Sequence, residues 1–552
     1  MLLEFFLIPC LFVSFTGWGA WMKALLRDKN ESFSLTIILG LVLFGILTCL
    51  LSFFIPLSLY VELALLIISL IPFLSRKLRT YMGRFPKEIL RSVWFWIFGI
   101  VIILAGTYYP FRPDLFFYYV PTLSWLNQYG QIIGVANIDW VLGQMSVFHI
   151  MQAGLDQTID PFLRFAVFIT ILFLVYLFER KTYLLLLVIP FYFLFIQAPS
   201  PDVPVVFLSL IVINELCFNY RVDNYKILFL ISVFVFTIKP IAFWLPLWIF
   251  IAGFFLNKNK LKDYRIYLIP TLLVIIFLIK NVIASSTLFY PITITKLNTY
   301  WLPDFRIFEL SDQRASMFTF SNYFTEGEIG AMTFFQKVYY WLSINKLQSI
   351  INWTMLMVIV AFGIFSFVKK NIIYQLLWII VAIKSFVIFN YSGQFRFILD
   401  SIYPLLFILL YPVLKIGKTK IFIAGLAFSF LLLAAITYPP LLKRTIPSFD
   451  LARWMDGFDK TTLLVPGKYV NKQYTKENVG NLDFNISSIY HYNYDVPLPA
   501  IIRKDIALYY KLGIFPQMKD PAHIHKGYYM KTLEPEEKEK LEKIVETYCS
   551  GK

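Results

Sequence analysis

Tyr108-Tyr109-Pro110-Phe111-Arg112-Pro113-Asp114-Leu115-Phe116-Phe117-Tyr118-Tyr119-Val120-Pro121 closes a long apolar run and decides how the rest of the chain is read. The run before it, 92–108, has the length of a membrane span. The stretch itself sets an arginine and a carboxylate at the membrane–water boundary, among aromatic rings. Asp114 follows Pro113 and precedes that aromatic run, a setting in which desolvation raises a carboxylate pKa. A carboxylate so placed suits a general base that takes a proton from an acceptor hydroxyl. An interfacial aspartate that merely pairs with Arg112 would have the same sequence.

Composition points the same way. The 552 residues are 59% hydrophobic and 15% charged, whereas a soluble chain carries roughly a quarter charged residues. Repeated apolar runs make this an all-α polytopic membrane protein. The net charge of +16 is no footprint for nucleic acid, because most Lys and Arg fall in short loops between apolar runs. Cys10, Cys49, Cys217 and Cys549 are scattered and suggest neither a disulfide framework nor a metal site. The N-terminal apolar segment lacks a basic flank and a cleavage site, so it reads as a retained first span.

Spans are expected near 2–21, 34–54, 57–75, 92–108, 161–179, 182–197, 203–219, 227–238, 241–256, 266–283, 351–368, 372–390, 397–414 and 421–437, about 12–14 in all once the short pairs are weighed. The runs meeting at Lys239-Pro240 are short enough to be one broken or re-entrant pair. One set of loops collects the basic residues, among them Lys23, Arg27, Lys29, Arg76, Arg84, Lys258, Lys369 and Lys415. The opposite side holds Arg112, Lys239, Lys296, Arg306, Arg314, Lys337 and Arg396, which makes it the external face; for a bacterial inner-membrane protein, as the resemblance given below implies, that face is periplasmic. The N-terminus lies on that face. Two long external loops, 109–160 and 284–350, complete the domain 1–437. Within the first loop, 118–129 is amphipathic and suits the interface. Residues 438–552 turn polar and suggest a small external C-terminal α+β domain with a charged helix near 533–547.

The ionisable residues that stand out map to this one face, and charges at membrane depth usually mark function. Asp202, in Ala198-Pro199-Ser200-Pro201-Asp202-Val203-Pro204, opens a span, with Ser200 as N-cap and Pro201 at the first helical position. Arg396, at a short re-entrant turn, suits bidentate capture of a lipid phosphate. Lys239 is placed to neutralise the same phosphate, or to snorkel. Lys384, inside an apolar run, needs a carboxylate or phosphate partner. Arg306 joins the phosphate-binding candidates, and Arg112, Tyr118, Tyr119 and His149 are accessory candidates, although a lone histidine among apolar residues is more often structural. His491, His523 and His525 lie in the tail without supporting ligands, so no metal site is assigned, and a divalent metal stays open as a cofactor without support from the sequence. No phosphate loop, dinucleotide fingerprint, nucleophile elbow or zincin helix is present, so no soluble cofactor is expected.

The arrangement of Asp114, Asp202, Lys239-Pro240, Lys280-Asn281-Val282 through Tyr290-Pro291, and Arg396-Phe397 resembles the C-type glycosyltransferase superfamily (GT-C). More narrowly, the chain looks like a bacterial family of polytopic membrane proteins. That family has a Tyr-His-Leu-Pro-like stretch, a Ser-Pro-x-Pro-Asp-x-Pro motif and a tail Asp-x-Pro-Leu-Pro. The counterparts here are Tyr118-Tyr119-Val120-Pro121, Ala198 to Pro204 and Asp495-Val496-Pro497-Leu498-Pro499, with Tyr119 where the family has histidine. The resemblance implies a GT-C-like fold and transfer of a sugar from a polyprenyl-phosphate donor to a glycan, lipid or protein acceptor. In that reading Asp114 and Asp202 serve catalysis, while Arg396, Lys239, Lys384 and Arg306 hold the lipid phosphate. A lipid-linked glycan polymerase or ligase, a transporter, and a non-catalytic envelope subunit on the same scaffold are the alternatives.

Overall fold

The computed structural model describes the chain except residues 29–31, 84–86, 111, 257, 321, 345, 415, 439, 441–458, 470–472, 489–491 and 550–552. Phe111, Lys29, Arg84, Lys415 and His491, named above, therefore lie outside the described residues. Six helices are long and apolar enough to cross a membrane: Leu2–Leu26, Phe33–Ser52, Arg265–Ser285, Leu347–Val368, Ile372–Ser392 and Lys418–Thr437. They make this an integral membrane protein.

The count of full-length spans is thus six among the described residues, short of the expected 12–14. The other apolar runs do become helices, but shorter ones. Phe165–Arg180, Asp202–Cys217 and Tyr225–Ile238 have 16, 16 and 14 residues. Nearly every residue of the three is buried, and a helix sheathed by other helices need not match the bilayer thickness. Prolines shorten others. Pro190 falls inside a 3₁₀ stretch, Tyr183–Leu194, because proline has no N–H to continue an α-helix. The break at Lys239-Pro240 is real: the 225–238 helix stops at an extended Lys239, and the chain re-forms through Pro240–Phe243 into Trp244–Leu256.

The largest core joins these helices, with Phe15, Phe165 and Phe168 stacked within it and Phe44 set edge-on against Phe15. Residues 118–129, expected at the interface, are instead buried on two sides. Tyr119, Leu123 and Leu126 enter the helical core, while Trp125 enters a second one. This second core is shared between the loop and the tail. Trp125, Ile132, Val135, Ile138 and Leu142 pack against Val479, Phe484, Ile506, Tyr509, Phe515 and Tyr528.

The tail is α+β, as expected. Strands β1 (Tyr474–Val479) and β2 (Leu482–Ser487) form one antiparallel hairpin, and β3 (Ile514–Met518) pairs with β4 (Tyr528–Thr532) in another. Helices Arg503–Leu512 and Pro535–Tyr548 cover them. Backbone bonds stitch the tail to the loop: Tyr528 N–H donates to the Ile133 carbonyl (2.9 Å). The Tyr509 hydroxyl reaches the Asn137 and Ile138 carbonyls (3.2 and 3.3 Å).

A buried acid pair sits at this joint. Asp139 in the loop accepts from Val141 N–H (3.1 Å) and hydrogen-bonds Asp505 of the tail helix. Burial, then each other's charge, pushes Asp139 far above the usual carboxylate range, and burial pushes Asp505 up against the opposing pull of Arg314. Raised folded-state values mean that the joint is strongest with its proton held and weakens as pH rises past the ordinary carboxylate range. Amide protection of 503–512, corrected for intrinsic exchange, is expected to fall as pH climbs from about 4, where free aspartate titrates. Asp505→Asn, which supplies a permanent donor to Asp139, should flatten that dependence. An unchanged slope in the variant would exclude the pair as its origin.

Candidate functional site

Arg164, at the head of the 165–180 helix, sets the positions of the loops that carry the site. Its side chain is buried and spends every nitrogen on backbone carbonyls. Nε donates to Gly106 (2.6 Å), while Nη1 donates to Phe162 (2.5 Å) and Gln197 (2.6 Å). Nη2 reaches Tyr108 (3.1 Å) and Gly467 (2.6 Å). One guanidinium thereby fixes the chain just before Asp114 to the chain just before Asp202, and both to the tail. Glycine is required at two of these contacts. A Cβ on Gly106 would lie 2.4 Å from a Val167 methyl, and one on Gly467 would lie 2.7 Å from the Tyr109 ring.

Beyond the joint, the loop turns at Pro113 and runs through one turn of π-helix, Leu115–Tyr119, a form that tends to appear at functional sites. Asp114 heads that turn. Its Oδ2 accepts from Arg112 (3.2 Å) and from Arg396 (3.4 Å), which is 282 residues away. Lys239, at the helix break and largely buried, pairs with Asp202. The Arg396 guanidinium lies 4.9 Å from the Phe397 ring centre and the Lys239 ammonium 4.8 Å from it, so one ring joins the two ion pairs. The Arg112 guanidinium stacks 4.1 Å over Phe195. Asp114, Asp202, Lys239, Arg112 and Arg396 therefore form one partly open cluster.

Three cations face two carboxylates in it, leaving a positive balance. The Nε atoms of Arg112 and Arg396 are buried and have no hydrogen-bond acceptor among the described residues. Burial alone would raise the Asp114 carboxyl, as the aromatic setting suggested, but Arg396 and then Arg112 outweigh it and hold the group below the usual carboxylate range. That reverses the expected direction. As it stands, Asp114 is an ionised and weak base.

The remaining expected residues divide. Lys384 is fully buried and pairs with Asp400, whose carboxylate also accepts from the Trp244 indole (2.8 Å). It is therefore committed to a carboxylate and is not open to a phosphate. Arg306 stands apart: it grips both oxygens of Asp304 (2.9 Å each) and donates to the Leu512 carbonyl (3.0 Å), which docks the tail. Tyr118 and Tyr119 pack behind Asp114, edge to face at 4.6 Å, with the His149 ring 4.5 Å from Tyr119. His149 Nδ1 accepts from Ser146 N–H (3.2 Å) in a capping box. Burial, then the nearby Lys280 charge, push its imidazole down to about 3, so it is neutral and structural. Ser200 does not cap the 202–217 helix; its hydroxyl has no partner among the described residues. Among those residues, no group of three or more His, Cys, Asp or Glu is gathered as a metal site would require.

Asp400 and Arg164 were not singled out from the sequence. Both are charges within or at the head of an apolar run, the same signal that marked Lys384. Removing the Arg164 side chain strands five carbonyls, and because a buried acceptor left unsatisfied costs about 1–3 kcal/mol, Arg164→Ala should cost about 3–5 kcal/mol even if some of them relax or find water. Arg164→Lys should recover little, since one ammonium cannot span acceptors arranged around a planar fork. Thermal unfolding of the purified variants in detergent checks both, and a lysine variant as stable as the parent would contradict the fork geometry.

Comparison with known proteins adds one finding. No curated protein and no solved structure matches the chain. The family described as Domain of unknown function (DUF8201) matches residues 1–403, a stretch that includes Arg164 and the whole Asp114–Asp202–Lys239–Arg396 cluster. The chain belongs to that family.

Proposed function

We propose that the protein is a membrane glycosyltransferase that takes a sugar from a polyprenyl-phosphate-linked donor and passes it to a cell-envelope acceptor. The observation that carries this reading is the cluster's unspent positive charge. Two buried guanidinium Nε–H groups and a lysine converge beside a carboxylate, at the mouth of a membrane-embedded bundle. A lipid phosphate supplies both the missing acceptors and the missing negative charge. The resemblance to GT-C enzymes and the aspartate in the first large loop support the same assignment. The distribution of Lys and Arg supports a periplasmic orientation for the site in a bacterial inner membrane.

The chemistry follows from competition for arginine. In the free protein Arg396 and Arg112 hold Asp114 ionised and weakly basic. A donor phosphate draws those guanidiniums toward itself, and Asp114 recovers basicity as its partners leave. Asp114 then takes the proton of the acceptor hydroxyl. The acceptor oxygen bonds to the anomeric carbon while the bond from that carbon to the phosphate oxygen breaks, and the lipid phosphate departs with the electron pair. Arg396 and Lys239 stabilise the charge that develops on it, an effect worth several kcal/mol in a water-poor site. Asp202 orients Lys239.

Asp114→Asn should lower transfer by about 10²–10⁴-fold, the usual contribution of a general base, while leaving thermal stability near that of the parent. Arg396→Ala should weaken binding of a short-chain polyprenyl phosphate by about tenfold or more, in line with a lost charge-assisted hydrogen bond. Native mass spectrometry of the protein in nanodiscs titrated with that lipid reads the second effect without knowledge of the acceptor. Equal affinity in parent and variant would remove the phosphate from the site. Retained phosphate binding with full turnover by the asparagine variant would remove Asp114 from the reaction.

A further inference from the structure

The helix Phe334–Ser343, in the second long loop, joins the helical core through one side only, by Trp341 with Tyr340 and Leu342 packed beside it. Thr333 and Gln336 close a capping box at its start. Its inner side is clamped to the 372–392 helix, with Phe334 5.9 Å from Phe386 and from Phe389, and Trp341 5.4 Å from Phe389. The Trp341 indole donates to the Gly393 carbonyl (2.7 Å), and Asn352 donates to the Trp341 carbonyl (2.7 Å). Burial of that side accounts for Trp341 and half of Phe334. It does not account for Phe335 and Tyr339, which lie one turn apart and are 83% and 65% exposed.

At 100° per residue, Phe334, Phe335, Val338, Tyr339, Trp341 and Leu342 cover one arc; Gln336, Lys337 and Ser343 lie on the other with Tyr340, whose ring is taken up by Phe324 at 4.9 Å. The apolar arc is wider than the protein covers. Its uncovered part is continuous with exposed apolar residues of two helices read as membrane spans: Ile383, Phe386 and Val387 on one, and Leu347, Ile350 and Trp353 on the other. Those residues face lipid by virtue of their helices' length and composition. Ring contacts carry that surface from Phe386 to Phe334 and on to Phe335, 5.9 Å at each step, and Tyr339 lies one helical turn beyond.

We propose that the Phe334–Ser343 helix lies in the plane of the membrane interface, with Phe335 and Tyr339 seated at the boundary between lipid headgroups and acyl chains. Aromatic rings with a polar edge suit that depth, and the opposite arc of Gln336, Lys337 and Ser343 meets water and headgroups. The partner is the bilayer itself. The placement does not rest on the glycosyl-transfer reading and would stand if that reading failed.

The test places the photoreactive residue p-benzoylphenylalanine singly at positions 335 and 339 of the full chain, reconstituted in nanodiscs of phosphatidylethanolamine and phosphatidylglycerol. Met357, exposed on the 346–368 helix, serves as the lipid reference, and Glu539, exposed on the tail's last helix, serves as the water reference. After irradiation, mass spectrometry should find lipid adducts at 335 and 339 within about twofold of the Met357 yield and several-fold above Glu539, as an interfacial helix requires. Yields nearer to Glu539, or crosslinks to a second polypeptide in place of lipid, would overturn the proposal. If those variants express poorly, a nitroxide at the same positions draws the same distinction by its accessibility to oxygen and to a water-soluble nickel complex.

Discussion

A buried guanidinium with no matching anion in hydrogen-bond contact is costly, and the structure meets that cost at Arg164 with five carbonyl oxygens. Of these acceptors, that of Gly106 lies in the last turn of its helix, and the other four lie in turns, bends or irregular chain, outside any helix or strand ladder. The arginine satisfies them together, which no apolar residue in the same space could do. The consequence is geometric. The chain entering the Asp114 turn and the chain entering the Asp202 helix are held to one planar group, and the two acids cannot drift independently. The close approach at Gly106 and Val167 belongs to the same arrangement, because a larger residue would lift the carbonyl away from Nε.

Charge elsewhere in the bundle follows a division of labour. Lys384–Asp400 and Arg180–Glu215 are closed pairs, satisfied by their partners and by Trp244 and Tyr176 respectively. Glu62 is closed as well, by the 157–159 backbone and the Thr158 hydroxyl. The Asp114 cluster differs from these three groups in being unfinished: its cations outnumber its anions, and two of its donors have no acceptor among the described residues. An unsatisfied buried donor is expensive in a finished structure and useful in one that awaits a ligand. The electrostatics thus separate structural ion pairs from the functional candidate more clearly than residue type does.

Much of this was readable in the sequence, and what was not has identifiable reasons. The apolar runs gave Leu2–Leu26, Phe33–Ser52, Arg265–Ser285 and the later spans, because spanning length and hydropathy are local properties. The grouping of Asp114, Asp202, Lys239 and Arg396 was also legible, since charges at membrane depth are rare and fell on one side of the topology. Arg164 escaped because its partners are backbone carbonyls, which carry no residue signature. Arg306 misled because a nearby carboxylate, Asp304, claims it locally. Residues 118–129 looked amphipathic and interfacial because their second buried face is supplied by a tail more than three hundred residues away, a pairing that no periodicity records.

That distance bears on how the molecule is made. Four of the carbonyls around Arg164 come from the chain between Gly106 and Gln197, while the fifth, Gly467, is separated from Arg164 by 303 residues. During synthesis the early helices can be inserted and packed long before that last acceptor exists. For that interval the guanidinium has one donor without its final partner, and the turn bearing Asp114 is not yet pinned from the tail side. Completion of the site is therefore a late event of biogenesis, coupled to arrival of the tail and not to insertion of the bundle.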